Sequence, residues 1–255
     1  MLKITKYIAY DILRSRVLIA YTIFLWLIAM ALFAFESDSS RSVASLLSIV
    51  LIIVPMVSII FATTYFYNSY QFIELLAAQP IQRRVIILGA FSGVSISLLL
   101  SFSFGIGIPV LLYSLNTIGF VLLVSGCSLT LIFTAIAFLV AVHIDDKAKG
   151  IGLAMMAWFY FGVIYDALVL AILFAFSEYP LEKAVVALAS FNPIDLVRIL
   201  VLMKLDVSAL MGFTGAVYKE FFGTFSGFLY ISVVLSLWLL VPLVFTVRRF
   251  SLKNI

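Results

Sequence analysis

Long apolar runs separated by short polar breaks dominate this chain. Six runs are near the roughly 20 residues a helix needs to cross a bilayer. They are Val17–Phe35, Val43–Phe66, Val85–Tyr113, Thr117–Val142, Ile151–Phe176 and Ser226–Val247. None shows the short two-residue alternation of a barrel strand. Lipid offers no water to an unpaired backbone amide, so each run closes its own hydrogen bonds as a helix. Pro55, Pro109 and Pro242 lie in or near the ends of these runs, where a missing N–H can kink a helix. The first run follows a basic start, as a signal peptide does. It is longer than a typical signal core, and Ala29 and Ala31 offer only a weak cleavage site inside it, so it reads as a retained first span. The expectation is an all-α membrane protein with one domain, residues 1–255.

Two segments outside the runs have their own pattern. In Met1–Arg16, Ile4, Ile8 and Ile12 fall four apart beside Tyr7 and Leu13, and Lys3, Lys6, Asp11, Arg14 and Arg16 supply a polar side. This predicts an amphipathic helix in the membrane interface, its basic groups among anionic lipid headgroups. Between the second and third runs, Phe72, Leu75, Leu76 and Gln79 share a helical face by their spacing and Glu74 lies off it. Pro80 stops this helix, and Arg83 and Arg84 mark the start of the next span.

Composition agrees with the pattern. Hydrophobic residues make up 65% of the chain and charged residues 11%, against about 25% charged in a soluble domain. With so few polar residues to coat a water-facing surface, a soluble enzyme is excluded. The net charge of +4 reads as membrane anchoring, not as nucleic-acid binding. With the N-terminus inside, inner segments hold eleven Lys and Arg and outer segments five, which predicts both termini in the cytoplasm. The outer loop 177–225 is the longest and carries nine charged residues, so outward-facing matter gathers before the last span. Cys127 is the single cysteine, which rules out an internal disulfide.

Several chemistries lack their residues. There is no G-x-x-x-x-G-K-[ST] phosphate loop and no H-E-x-x-H zinc motif. His143 is the only histidine. The nearest serine-protease fragment, Ser125-Gly126, has Leu123 where a glycine is expected. Haem and iron–sulfur centres would lack ligands. Among the seven methionines only Met155 and Met156 adjoin, and neighbours in a helix do not share a face, so a copper path is poorly supported. No catalytic, cofactor or metal residue is expected.

The phrase Glu74-Leu-Leu-Ala-Ala-Gln-Pro-Ile-Gln-Arg83 between a second and third span resembles the ABC-2 family of ABC-transporter permeases. Six spans, an interfacial N-terminal helix and a long outer loop before the last span fit the same family. The resemblance implies that residues 68–82 form a cytoplasmic coupling helix against a separate ATPase, with Phe72, Glu74, Leu75, Leu76, Gln79, Pro80, Arg83 and Arg84 as contact residues. ATP and Mg would sit on that ATPase. Phe191-Asn-Pro-Ile-Asp-Leu-Val-Arg198 and Gly212-Phe-Thr-Gly-Ala216 look like the NosY-type permeases that serve nitrous oxide reductase maturation. That likeness implies a permease homodimer in the bacterial inner membrane, a cytoplasmic ATPase dimer, a periplasmic NosD-like partner and export of a sulfur species. Force transmission to a periplasmic partner, or export of a drug or other small molecule, are the alternatives.

Three further features carry expectations. Asn192 can cap a helix begun by Pro193, with Asp195 near its positive end and Arg198 within pairing reach. These four residues serve either as a cap or as a platform for a periplasmic partner. Asp166 lies about 16 Å inside the outer end of the fifth span. Its insertion costs about 2.5–3.5 kcal/mol at a helix centre, so it should face protein. It serves the passage or dimer interface, or makes an interhelical hydrogen bond. Gly89 with Gly93, and Gly223 with Gly227, have the spacing that lets helices approach closely.

Overall fold

The structure is a computed structural model that describes residues 2–36, 38–176, 182–205 and 225–253. Residues 212–216 and Gly223, which carry two of the expectations above, lie outside it. Among the described residues the secondary structure is helical throughout. The helices are α1 (Leu2–Leu13), α2 (Arg16–Phe35), α3 (Ser39–Asn68), α4 (Tyr70–Ala77), α5 (Arg83–Phe102), α6 (Ile108–Tyr113), α7 (Thr117–His143), α8 (Lys147–Phe159), α9 (Tyr165–Ala175), α10 (Glu182–Ser190), α11 (Pro193–Lys204) and α12 (Phe225–Leu252). Six units are long and apolar enough to span a membrane: α2, α3, α5–α6, α7, α8–α9 and α12. They match the six predicted runs to within a few residues.

The ends of these helices are set by local chemistry. Asp38, Asn116 and Asp146 cap α3, α7 and α8 by accepting from Ser40, Gly119 and Lys149 N–H groups at 3.0, 2.9 and 2.8 Å. Two spans contain a π-helical turn, at Ser103–Gly107 and at Tyr160–Ile164. The first lies just before Pro109, which has no N–H for the regular ladder. Pro55 and Pro242 sit inside uninterrupted α3 and α12.

The core lies around α3, α5 and α7. Phe66 and Phe91 both meet the edge of Phe138, with ring centroids 5.5 and 5.7 Å apart. The α5–α6 span has 67% of its most apolar stretch buried, whereas α8–α9 has 6%, so the fifth span flanks the bundle. The Gly89–Gly93 stripe is occupied within the chain. A Cβ on Gly93 would stand 2.6 Å from Ile8 Cγ2, and the Thr5 and Ser92 hydroxyls share a 2.8 Å hydrogen bond. These small residues dock α1 onto α5. α1 buries Thr5, Ile8 and Ile12 and exposes Tyr7 and Tyr10.

α1, α4, the α7–α8 link and the last turn of α12 gather at one end of the bundle, here the basic end. α10 and α11 lie in the far half, where their junction meets Phe161 and Trp238 at the middle of the fifth and sixth spans and Tyr230 near the start of α12.

Candidate functional site

At the basic end, α4 is amphipathic, but its faces differ from the sequence expectation. Ile73 is its buried anchor, with Phe72 and Leu76 half-buried against the core. Phe72 stacks on Tyr7 of α1 at 5.5 Å. Glu74, Leu75, Gln79 and Pro80 are exposed, Leu75 at 68%. The expected face of Phe72, Leu75, Leu76 and Gln79 is therefore split. The helix also ends two residues earlier than the Gln79 expected, at Ala77. The reason is that α4 rests on the ends of α3 and α5, so the position that points down between them becomes the anchor, and that position is Ile73. Half-buried Arg83 opens α5 and donates to the Lys253 backbone carbonyl, while Arg84 is exposed.

Around α4 lies a set of contacts the sequence reading missed. Lys253 Nζ is 2.5 Å from Asp145 Oδ1 and lies 5.8 Å from the Tyr70 ring centroid. The Lys253 ammonium beside Asp145 holds that carboxyl below its ordinary range. Lys147 donates to Asn68 Oδ1 at 2.7 Å, and the Tyr67 hydroxyl donates to the Ile144 carbonyl at 2.8 Å. The apolar pattern gave no signal for these contacts, because it reports burial within an element and not which loops meet. An open groove of about 860 Å³ runs between α1, the start of α2 and α3. Asp11, Arg14 and Asn68 contribute its polar lining and Met56, Ile60 and Phe61 its apolar lining.

At the far end the structure joins residues that the sequence reading placed apart. Asn192 does cap α11, accepting from Ile194 N–H at 3.0 Å. Its amide also donates to the Phe161 carbonyl at 2.9 Å. Phe161 lies in the π-helical turn of the fifth span, where the widened ladder re-aims a carbonyl that Asn192 then satisfies. Pro193 is buried as the first residue of α11. Arg198 pairs with Asp195 at 2.9 Å, as the three-residue spacing predicts, and its other terminal nitrogen reaches Asp166 at 2.9 Å. One guanidinium thus bridges two carboxylates on different helices. Asp166 faces protein, as expected, and its partner on the neighbouring helix is an arginine. Burial pushes the Asp195 carboxyl up to about 7, against the opposing pull of Arg198. Tyr165, Ser190, Trp238 and Tyr230 complete the cluster. The Tyr165 hydroxyl donates to Leu188 O at 2.5 Å, the Trp238 indole donates to Ser190 O at 3.1 Å, and the Ser190 and Tyr230 hydroxyls share a bond at 2.8 Å.

No three His, Cys, Asp or Glu side chains among the described residues gather closely enough to hold a metal ion. What the geometry offers is mechanical: an exposed short helix at one end and a buried polar joint at the other.

No family model matches the chain. It is 25% identical over 226 residues to the probable ABC transporter permease protein NosY of Stutzerimonas stutzeri, covering 80% of this chain and 78% of that one. It is 26% identical over 223 residues to the probable ABC transporter permease protein NosY of Pseudomonas aeruginosa, covering 79% and 81%. By sequence, the chain is similar to NosY-type ABC permeases over about four-fifths of its length. Such permeases are multi-pass proteins of the inner membrane, and their class implies an ATPase partner. In this chain α4 lies between the second and third spans.

Proposed function

We propose that this chain is the membrane half of a homodimeric ABC exporter, with its basic end and both termini in the cytoplasm. A separate ATPase dimer binds ATP and Mg and docks on the exposed side of α4 through Glu74, Leu75, Gln79 and Pro80. Arg83 and Arg84 hold the start of α5 at the membrane surface. When the ATPases close, α4 moves and tilts α3 and α5, and the passage between two copies switches its opening from one side to the other. The cargo is a sulfur species for copper–sulfide centre assembly in nitrous oxide reductase. A NosD-like protein receives it outside.

The observation that carries this reading is an amphipathic helix anchored by Ile73 with Leu75 left in water, between the second and third spans, in a chain of NosY-like sequence. A second reading is transmission of force to the periplasmic partner without cargo. The polar joint between α9, α11 and α12 favours it, because that joint ties the far-end helices to two spans. The test is ATP-driven uptake of a labelled sulfur compound by sealed inside-out vesicles containing the permease and ATPase. Flux above an ATPase-dead control supports export. ATP hydrolysis without flux, together with ATP-dependent movement of the periplasmic partner, supports force transmission. Failure of any ATPase to co-purify overturns both.

A further inference from the structure

We propose that Lys253 is a positioning residue that makes α12 move with α4, so the last span carries the coupling motion to the far end. This rests on the coupling role of α4 proposed above. α4 connects to α3 and α5 through the backbone, but nothing covalent joins it to α12. α12 packs on α5 and α7, and Lys253 adds a polar link at its last turn. Its carbonyl accepts from Arg83, and its ammonium meets Asp145, the Val142 carbonyl at 3.4 Å and the Tyr70 ring. One residue thus gathers α4, the start of α5 and the α7–α8 link. Its side chain is 19% exposed, and its stem lies along the bundle while its head meets these groups.

α12 is tied elsewhere as well, at its middle through Trp238 and near its start through Tyr230, both to Ser190 at the end of α10. A helix of 28 residues spans roughly 42 Å, about the thickness of a bilayer with its headgroups. One side of it packs on the bundle through Ile231, Leu235, Thr246 and Phe250, and only 17% of its apolar stretch is buried, so the rest of the rod is free of the bundle. Pulled at Lys253, such a rod displaces Ser190 and the polar joint around it.

The test uses the permease–ATPase complex in lipid nanodiscs, with Cys127→Ser as background. An environment-sensitive fluorophore is placed at Ala78→Cys on α4 or at Leu229→Cys near the far end of α12, both exposed positions. ATP is expected to shift the emission at both sites. Lys253→Ala, and independently Asp145→Asn, keeps ATPase co-purification and the Ala78 response but loses the Leu229 response, and Lys253→Arg restores it. A Leu229 response that survives both Lys253→Ala and Asp145→Asn overturns the relay and leaves the coupling role of α4 standing. A wild-type complex with no Ala78 response overturns the coupling role, and the relay with it.

Discussion

The two ends of this molecule handle charge in opposite ways. At the basic end the contacts are single and lie at the water-facing rim, as where the exposed Asp145 meets Lys253 and Lys147 meets Asn68. At the far end, Asp195 is buried and Asp166 and Arg198 are each about one-third exposed. Exposed pairs contribute about 0–1 kcal/mol and are easily exchanged. Pairs withdrawn from water are costly to break, because the surviving partner keeps its desolvation penalty. The difference leaves the basic end with contacts that exchange at little cost and gives the far end a joint that is costly to pull apart.

The comparison is broken most directly at Arg198. Replacing it with leucine strands two carboxylates beside each other. Full burial would make that loss about 3–5 kcal/mol, and the partial exposure reduces it to about 2–3 kcal/mol. Thermal unfolding of the purified permease should show a clear fall in melting temperature. Adding Asp166→Asn should recover part of it. Equal melting temperatures for wild type and Arg198→Leu would show that the far-end pairs are loosely held surface contacts after all.

A smaller loss is expected from Asn192→Ala, about 1–3 kcal/mol. The change leaves the Ile194 N–H and the Phe161 carbonyl without their partner. Asn192→Asp separates the two roles, since a carboxylate still caps α11 but cannot donate to Phe161. It should retain the larger share of stability if capping dominates, and the ratio of the two losses measures the π-turn contact.

Acidity sharpens the contrast between the ends. The Asp195 carboxyl is raised by burial, so the folded state favours its neutral form. Its unfavourable ionisation appears as pH climbs from the ordinary carboxylate range near 3.8 through about 7. The melting temperature should therefore be higher at mildly acid than at mildly alkaline pH. Asp195→Asn should flatten that slope. Asp145 is displaced the other way, so its pairing is fully present above the ordinary carboxylate range and is lost only as pH falls below it. Asp145→Asn should leave the slope across neutral pH unchanged.

Much of the architecture was legible because a bilayer imposes a simple grammar of span length and helical closure. The six spans, the amphipathic α1 and the cap at Asn192 all follow from patterns within one element. The facing of α4 was legible only in part. Four apolar or amphiphilic positions at helical spacing fix a stripe, but which side of it turns inward depends on the ends of α3 and α5 beneath, and that chose Ile73. The Asp166–Arg198 pair was hidden for a similar reason. Its members are 32 positions apart on separate helices, and the π-helical turn that rotates Asp166 toward α11 leaves no mark in an apolar pattern. Gly93 shows the converse case. Its spacing signalled close approach correctly, while the element that fills the gap, α1, could only be seen in three dimensions.

The smallest effect on stability is expected where the effect on function should be large. Leu75→Asp changes a side chain that is 68% exposed on the outward side of α4. It sits roughly opposite the buried anchor Ile73 on the helix. The melting temperature should stay near that of the wild type, within about 0.5 kcal/mol, as for other surface changes. The ATPase should nevertheless be lost on purification, because a charge replaces the one large apolar side chain that α4 presents to water. Ile73→Asp should do the reverse in order, unseating α4 first and losing the ATPase as a consequence. If Leu75→Asp purifies with its ATPase intact while Glu74→Arg or Gln79→Ala does not, docking is polar and the leucine is incidental. If all three retain the ATPase, α4 is not the coupling surface, and the basic end must grip its partner elsewhere.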